Sequence, residues 1–226
     1  LTKLTGDQRY YDTAKRAVVT LFERRSAIGL VGSTIDVETG AWQDRESHIS
    51  GGIDSYYEYL LKAWLLFDDP DFRRMWERSI AAANRYLPDE RASGYWYGHV
   101  NMDTGERTAT EFGALDAFLP AVLALGGDTA RAGRLMQSVV RMWTTFGIEP
   151  EQLDYVAMRP THPGYVLRPE AIESAYYLFR LTGDLPARIA AWQDTSLARD
   201  PNTRAFWTQL QRVVPTPKIP EWERIA

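Results

Sequence analysis

Gly51-Gly-Ile-Asp-Ser-Tyr-Tyr-Glu-Tyr-Leu-Leu-Lys-Ala-Trp-Leu-Leu-Phe-Asp-Asp69 reads as one helix that runs into an acidic turn. Two further stretches share its layout: TEFGALDAFLPAVLALGGD at 110–128 and YVLRPEAIESAYYLFRLTGD at 165–184. Each stops at an acidic or glycine turn and is followed by more helix. The closing aspartates Asp69, Asp128 and Asp184 recur at about one helical hairpin's length, the mark of an internal repeat. Repeated helical hairpins stack into a solenoid or a closed toroid, and the spacing leaves both open.

Working outward, apolar residues keep a helical period over roughly 7–25, 54–67, 71–87, 108–125, 129–146 and 169–182. Strand patterns are confined to Gly29-Leu-Val-Gly-Ser-Thr-Ile-Asp-Val-Glu-Thr-Gly40, which predicts a short hairpin, and to the glycine- and aromatic-rich residues 93–101. The reading is therefore an all-α hairpin protein with a β decoration. Residues 1–184 form one partial domain, and 185–226 form a divergent tail, helical near 203–213 and extended through the prolines of 214–220.

With 226 residues, 45% of them apolar, the chain can bury a sizeable core. Its formal charge of −4 comes from interspersed acids and bases, with no basic block to track phosphates, so nucleic acid is a poor partner. The absence of cysteine excludes disulfides and thiolate zinc sites. No apolar run reaches the roughly 18 to 20 residues of a membrane span, and the opening Leu1-Thr-Lys3 shows neither an initiator Met nor a signal peptide.

Two helix starts carry candidate chemistry. Asp54 and Glu58 lie four residues apart on one helix face; Ser55 and Glu58 also fit a capping box, with Asp54 at the positive end of the dipole. Pro169 suits a helix's first position, with Glu170 and Glu173 following on one face. A helix start explains those acids but not Arg168 beside them, with aromatics nearby. Sugars use that combination, because aromatic faces cover a pyranose while carboxylates and arginine hold its hydroxyls. If the three repeats are equivalent, Asp54 and Glu170 share one mouth.

The blocks Gly29-Leu-Val-Gly32 with Thr39-Gly-Ala-Trp42, Gly52-Ile-Asp-Ser-Tyr-Tyr-Glu-Tyr-Leu-Leu-Lys62, and Leu167-Arg-Pro-Glu-Ala-Ile-Glu-Ser174 continuing to Asp184 resemble glycoside hydrolase family 47, in order, over residues 29–184. Ala117-Phe-Leu-Pro120 and Leu125-Gly-Gly-Asp128 are similar to its ER degradation-enhancing α-mannosidase-like branch. The resemblance implies an (α/α)7 barrel that hydrolyses α-1,2-mannosidic bonds of high-mannose N-glycans with inversion, aided by calcium. Inversion needs an acid and a base about 6.5 to 9.5 Å apart. By that resemblance Asp54 belongs to the acid machinery and Glu170 is the general base, while Arg168, Glu173 and Glu58 bind the sugar. It also implies the ER or Golgi for a eukaryotic source, and export or the periplasm for a bacterial one.

The family's other candidate acid would lie ahead of Leu1, and its later E-S-F…E-T-L-K-Y and T-E-A-H-P segments, the latter with a calcium-binding Thr, are not found after Asp184. A histidine of glycan-processing members is replaced around Ala114-Leu-Asp-Ala-Phe118, as in the degradation-enhancing branch. The chain thus corresponds to roughly four of seven hairpins, which predicts exposed apolar faces and self-association. A glycan-binding module without turnover and a helical scaffold for protein partners are the alternatives. His48, His99 and His162 lack ligand spacing and are expected in loops or at the surface. Tyr95-Trp-Tyr-Gly-His99 suits a core or a sugar subsite, and Glu151 is read as structural.

Overall fold

The computed structural model describes residues 1–183. Asp184, the domain boundary that follows it, and the helical and proline-rich parts of the tail lie outside the described residues. The chain divides into two compact units, one of residues 1–89 with 97–111, the other of 90–96 with the chain from 112 onward.

The first unit opens with α1 (Thr2–Thr5) and α2 (Arg9–Glu23), followed by the short strands β1 (Thr34–Ile35), β2 (Trp42–Asp44) and β3 (Glu46–Ser47). The hairpin α3 (Asp54–Phe67) and α4 (Pro70–Tyr86) comes next. The ribbon β4 (Pro88–Arg91) and β5 (Gly94–Tyr97) follows in the chain, with its residues 90–96 belonging to the second unit; β6 (His99–Asn101) and β7 (Arg107–Ala109) return to the first, where β3, β6 and β7 form one antiparallel sheet.

Helix α3 buries Tyr57, Leu60 and Leu61, and α4 buries Phe72, Met75, Trp76, Ala82 and Ala83, so the two amphipathic faces meet. Asp68 ends α3 in a left-handed conformation (φ 54°), and Asp69 then caps α4 by accepting a hydrogen bond from the Asp71 N–H at 2.8 Å, with Pro70 in the first helical position. The closing aspartate is therefore the start of the second helix of the hairpin. Its carboxylate also receives the Lys15 ammonium at 2.6 Å and the Tyr11 hydroxyl, which fastens α2 to the hairpin turn. Asp69→Ala is expected to cost about 1 to 2 kcal/mol from the cap alone, seen as a lower midpoint in urea unfolding with an unchanged slope.

The capping box expected from Ser55 and Glu58 does not form. Ile53 is the N-cap residue, without a side-chain cap, and Glu58 pairs with Lys62 one turn on. Both side chains of that pair are half-buried, and neither serves the start of α3.

In the second unit, β8 (Glu111–Gly113) is followed by a 3-10 turn (Leu115–Phe118), α5 (Leu119–Leu125) and α6 (Thr129–Phe146), then β9 (Gln152–Asp154), β10 (Arg159–His162) and α7 (Glu170–Thr182). The three strands form a sheet in the order β10, β9, β8, and α5, α6 and α7 pack on one another. Asp128 caps α6 by accepting from the Arg131 N–H at 3.0 Å, repeating the role of Asp69. Ser174 on α7 donates to the Ala117 carbonyl and accepts from the Ala121 N–H at 3.1 Å, locking α7 against the start of α5.

The helix expected over 108–125 is a helix only at its end. Pro120 cannot lie inside a helix and takes the first turn of α5 instead, and residues 107–113 form β7 and β8. A Cβ at Gly113 would stand 2.4 Å from the Glu151 carbonyl oxygen, so glycine there lets β8 lie against the segment after α6. Strands are also more numerous than the alternation suggested, because most are two to four residues long and paired by tertiary contact. The fold class is otherwise the expected one, helical hairpins with β decoration. No helix among the described residues is long and apolar enough to cross a membrane.

Candidate active site

The start of α7 organises the charged groups of the second unit. Leu167 has left-handed backbone (φ 63°), which turns the chain so that Arg168 precedes the Pro169 cap and Glu170 opens the helix. The Arg168 guanidinium grips Glu151 with two nitrogens, its Nε lying 3.0 and 3.1 Å from the two carboxylate oxygens and a second nitrogen closing on Oε1. The Glu151 backbone is fixed in turn: its N–H donates to the Gly164 carbonyl at 2.8 Å, and its carbonyl accepts from the Ala114 N–H at 3.3 Å. The Tyr165 hydroxyl donates to the Arg168 carbonyl at 3.1 Å.

Three more carboxyl groups join this pair. Glu170 is half-buried at the N-terminus of α7, Asp116 is buried in the 3-10 turn, and Glu149 is fully buried just after α6. Asp116 accepts from the Gly113 N–H at 2.8 Å. Burial, and then the neighbouring charges of Glu170, Asp116 and Glu151, push the Glu149 carboxyl up to about 9. Burial followed by the charges of Glu149 and Glu170 also raises the Tyr165 phenol. Glu173 lies one turn along α7, half-buried on the same face as Glu170.

Of the residues singled out from the sequence, Arg168, Glu170 and Glu173 are thus brought together in the second unit. Asp54 and Glu58 belong to the first unit: Asp54 is half-buried at the first turn of α3, its Oδ1 2.7 Å from the Ser55 N–H, and Glu58 is held by Lys62. Glu149 and Asp116 were not singled out, and Glu151 was read as structural only. The pair of acids flanking Pro150, directly after a helix, was the available signal.

The aromatic stretch takes the core place that was one of its two readings, and the surface position expected of two histidines is corrected. Trp96 is fully buried, stacked on Tyr155 with ring centroids 5.5 Å apart and edge-on to Phe112, and Tyr97 is buried too, so these two rings belong to the core. His48, in the loop directly after β3, and His99, on β6, do not lie at the surface. They are 7% and 6% exposed, with rings stacked at 4.5 Å, and β3 and β6 place them beside Glu46. Sequence spacing hid the pair because His48 and His99 are far apart in the chain and are brought together by the pairing of β3 with β6. His162 is exposed, as expected.

The histidine pair is braced by hydrogen bonds. His99 Nδ1 lies 3.1 Å from Glu46, whose other oxygen accepts from Thr108 at 2.6 Å. The Ser50 N–H donates to His48 Nδ1 at 3.0 Å, so the ring hydrogen sits on Nε2, directed at Ser33 Oγ 3.1 Å away. Burial, then the neighbouring His99, pushes His48 down to about 4. Glu46, His48 and His99 are the one group of three potential ligands whose donor atoms converge, within 4.8 Å, among the described residues. Two imidazoles and one carboxylate do not make the oxygen shell that calcium takes, and both nitrogens of His48 are already engaged. The trio does not fit the calcium ion that the family resemblance implies.

Paired helices that carry an arginine and a set of carboxylates to one helix start define a helical-hairpin protein with an acid-rich site. The chain belongs to glycosyl hydrolase family 47, whose family model matches residues 1–219. It is 40% identical over 186 residues to alpha-mannosidase I MNS5 of Arabidopsis thaliana, covering 81% of this chain and 32% of that protein. It is 39% identical over 188 residues to the human ER degradation-enhancing alpha-mannosidase-like protein 2, with 81% and 32% covered. Mouse mannosyl-oligosaccharide 1,2-alpha-mannosidase IB is 31% identical over 219 residues, with 85% and 33% covered. Among solved structures, an alpha-1,2-mannosidase from Trichoderma reesei superposes with a TM-score of 0.71 at 25% identity, over 85% of this chain and 47% of that one. The chain therefore carries part of the family's fold and spans about a third of the length of the plant, human and mouse relatives and 47% of the solved chain.

Proposed function

We propose that the protein to which this chain belongs is an inverting α-1,2-mannosidase acting on high-mannose N-glycans. The observation that carries this reading is the placement of Glu170 at the first turn of α7, between the Arg168–Glu151 pair and two further buried acids, in a chain of family 47. A carboxylate at that position can take a proton from a water that attacks the anomeric carbon, and the arginine and Glu173 can hold sugar hydroxyls. Asp54, at the start of α3, belongs to the acid side of the reaction in this reading. Calcium enters on the family likeness alone. The same likeness supports work in the secretory pathway or outside a bacterial cytoplasm, where N-glycans are met.

The test is to mix the full-length gene product with a high-mannose N-glycan, with calcium or with a chelator, and to follow free mannose and its anomeric form by NMR. Release of β-mannose that stops on chelation and returns with calcium is the expected result. Release of α-mannose would defeat the inverting mechanism, and release in chelator would defeat the calcium dependence. Glycan binding without any release would favour the binding-module reading instead.

A further inference from the structure

Glu149 is the acid of this group that the reading above leaves without a task. Helix α6 ends at Phe146 with Gly147 in a left-handed conformation (φ 79°), after which Ile148 points outward, 43% exposed, and Glu149 inward with no exposure at all. Neither of its carboxylate oxygens accepts a hydrogen bond among the described residues. Its neighbours in the group are better served: Glu151 has the Arg168 guanidinium, and Asp116 has the Gly113 N–H. The groups that face Glu149 are Glu170 on α7, Asp116 in the 3-10 turn, Glu151 two residues on, and the Tyr165 hydroxyl. All are acidic or neutral, and the cation of the group, Arg168, closes on Glu151.

A buried carboxyl with no donor and three acidic neighbours avoids an isolated charge by keeping its proton. We infer that Glu149 is the proton-holding member of a coupled pair with Glu170, a positioning residue whose neutral acid lets Glu170 stand as the ionised base. This rests on the reading of Glu170 as the base. The proton remains on Glu149 through the reaction, and no bond is made or broken there. As a neutral acid it also has an O–H to offer, where an ionised group would only repel. The raised position of its carboxyl, about 9, agrees with this geometry.

A stability consequence follows, independent of any reaction. The folded-state value lies above the ordinary 4.5, so between these limits the folded chain binds one proton more than the unfolded one. The contribution of Glu149 to stability is then fully present below about 4.5, falls as pH rises through that window, and is lost above about 9. Glu149→Gln, neutral at every pH, removes this dependence.

The test is infrared difference spectroscopy on the 226-residue chain, wild type minus Glu149→Gln, across the alkaline range. A protonated-carboxyl C=O band present at neutral pH and lost only in the alkaline range is expected, and in Glu170→Gln the same band should vanish at lower pH. No band at neutral pH would overturn the inference; so would a band whose titration ignores Glu170→Gln. The unmutated chain alone shows the band's loss with pH, so a variant that fails to fold does not block the measurement. In the full-length protein, the alkaline limb of kcat is expected to move to higher pH in Glu149→Gln, where the general acid alone sets it, and Glu149→Leu should lose about tenfold more kcat than Glu149→Gln at neutral pH. An alkaline limb identical in Glu149→Gln and wild type would overturn the positioning role. A full-length protein that releases no mannose defeats the mannosidase reading, and the infrared result then decides for or against Glu149 by itself.

Discussion

Glu170→Gln is expected to lower kcat for mannose release by about 10²- to 10⁴-fold in the full-length protein, with little change in KM. Glutamine keeps the size and the helix start, since the backbone N–H of Glu173 bonds to the Pro169 carbonyl at 2.9 Å whatever the side chain at 170. What it removes is a group able to accept the proton of the attacking water. Because that step belongs to the transition state, the loss falls on kcat. Steady-state rates by NMR, with unfolding midpoints to show an intact fold, check this. A kcat within a factor of a few of wild type would sink the assignment of Glu170 as the base.

The second large effect is expected at Arg168. Arg168→Ala leaves Glu151 without the two-pronged partner that now neutralises it, and both side chains are only 28% exposed. Removing one member of a fully buried pair costs about 3 to 5 kcal/mol, and partial exposure reduces that here to about 1 to 3 kcal/mol. Glycan affinity should fall at least about tenfold as well, because the segment carrying Glu149 and Glu151 loses its hold on the start of α7. Arg168→Lys should rescue little of either, since an ammonium supplies charge but not the planar fork. Chemical unfolding and glycan titration by calorimetry measure both quantities. Recovery to wild-type values in the lysine variant would mean that charge alone matters at this position.

These two expectations rest on different kinds of information. The importance of Glu170 and Arg168 is legible in the stretch Leu167-Arg-Pro-Glu170, where a proline-led helix start is followed by acids that capping does not require. The partner of Arg168 is not legible there. Glu151 lies 17 residues away, across a loop and two strands, and only the pairing of β9 with β10 brings it back. The same holds for Glu149: nothing in Gly147-Ile-Glu-Pro-Glu151 says which acid turns inward, and the left-handed turn at Gly147 decides it.

By itself the sequence determined the helical hairpins, their amphipathic faces, the turns at Asp69 and Asp128, and the family. These features depend on residues within a turn or two of one another, where periodicity and local hydrogen bonding act directly. Tertiary structure alone decided the strands of residues 107–113, the burial of His48 and His99 against Glu46, the core position of Trp96 and the gathering of four acids at α7. Each of these depends on which distant segments are folded against each other. A two- or three-residue strand, or a carboxyl group in need of a neighbour, takes its character from the contact and not from the residues beside it.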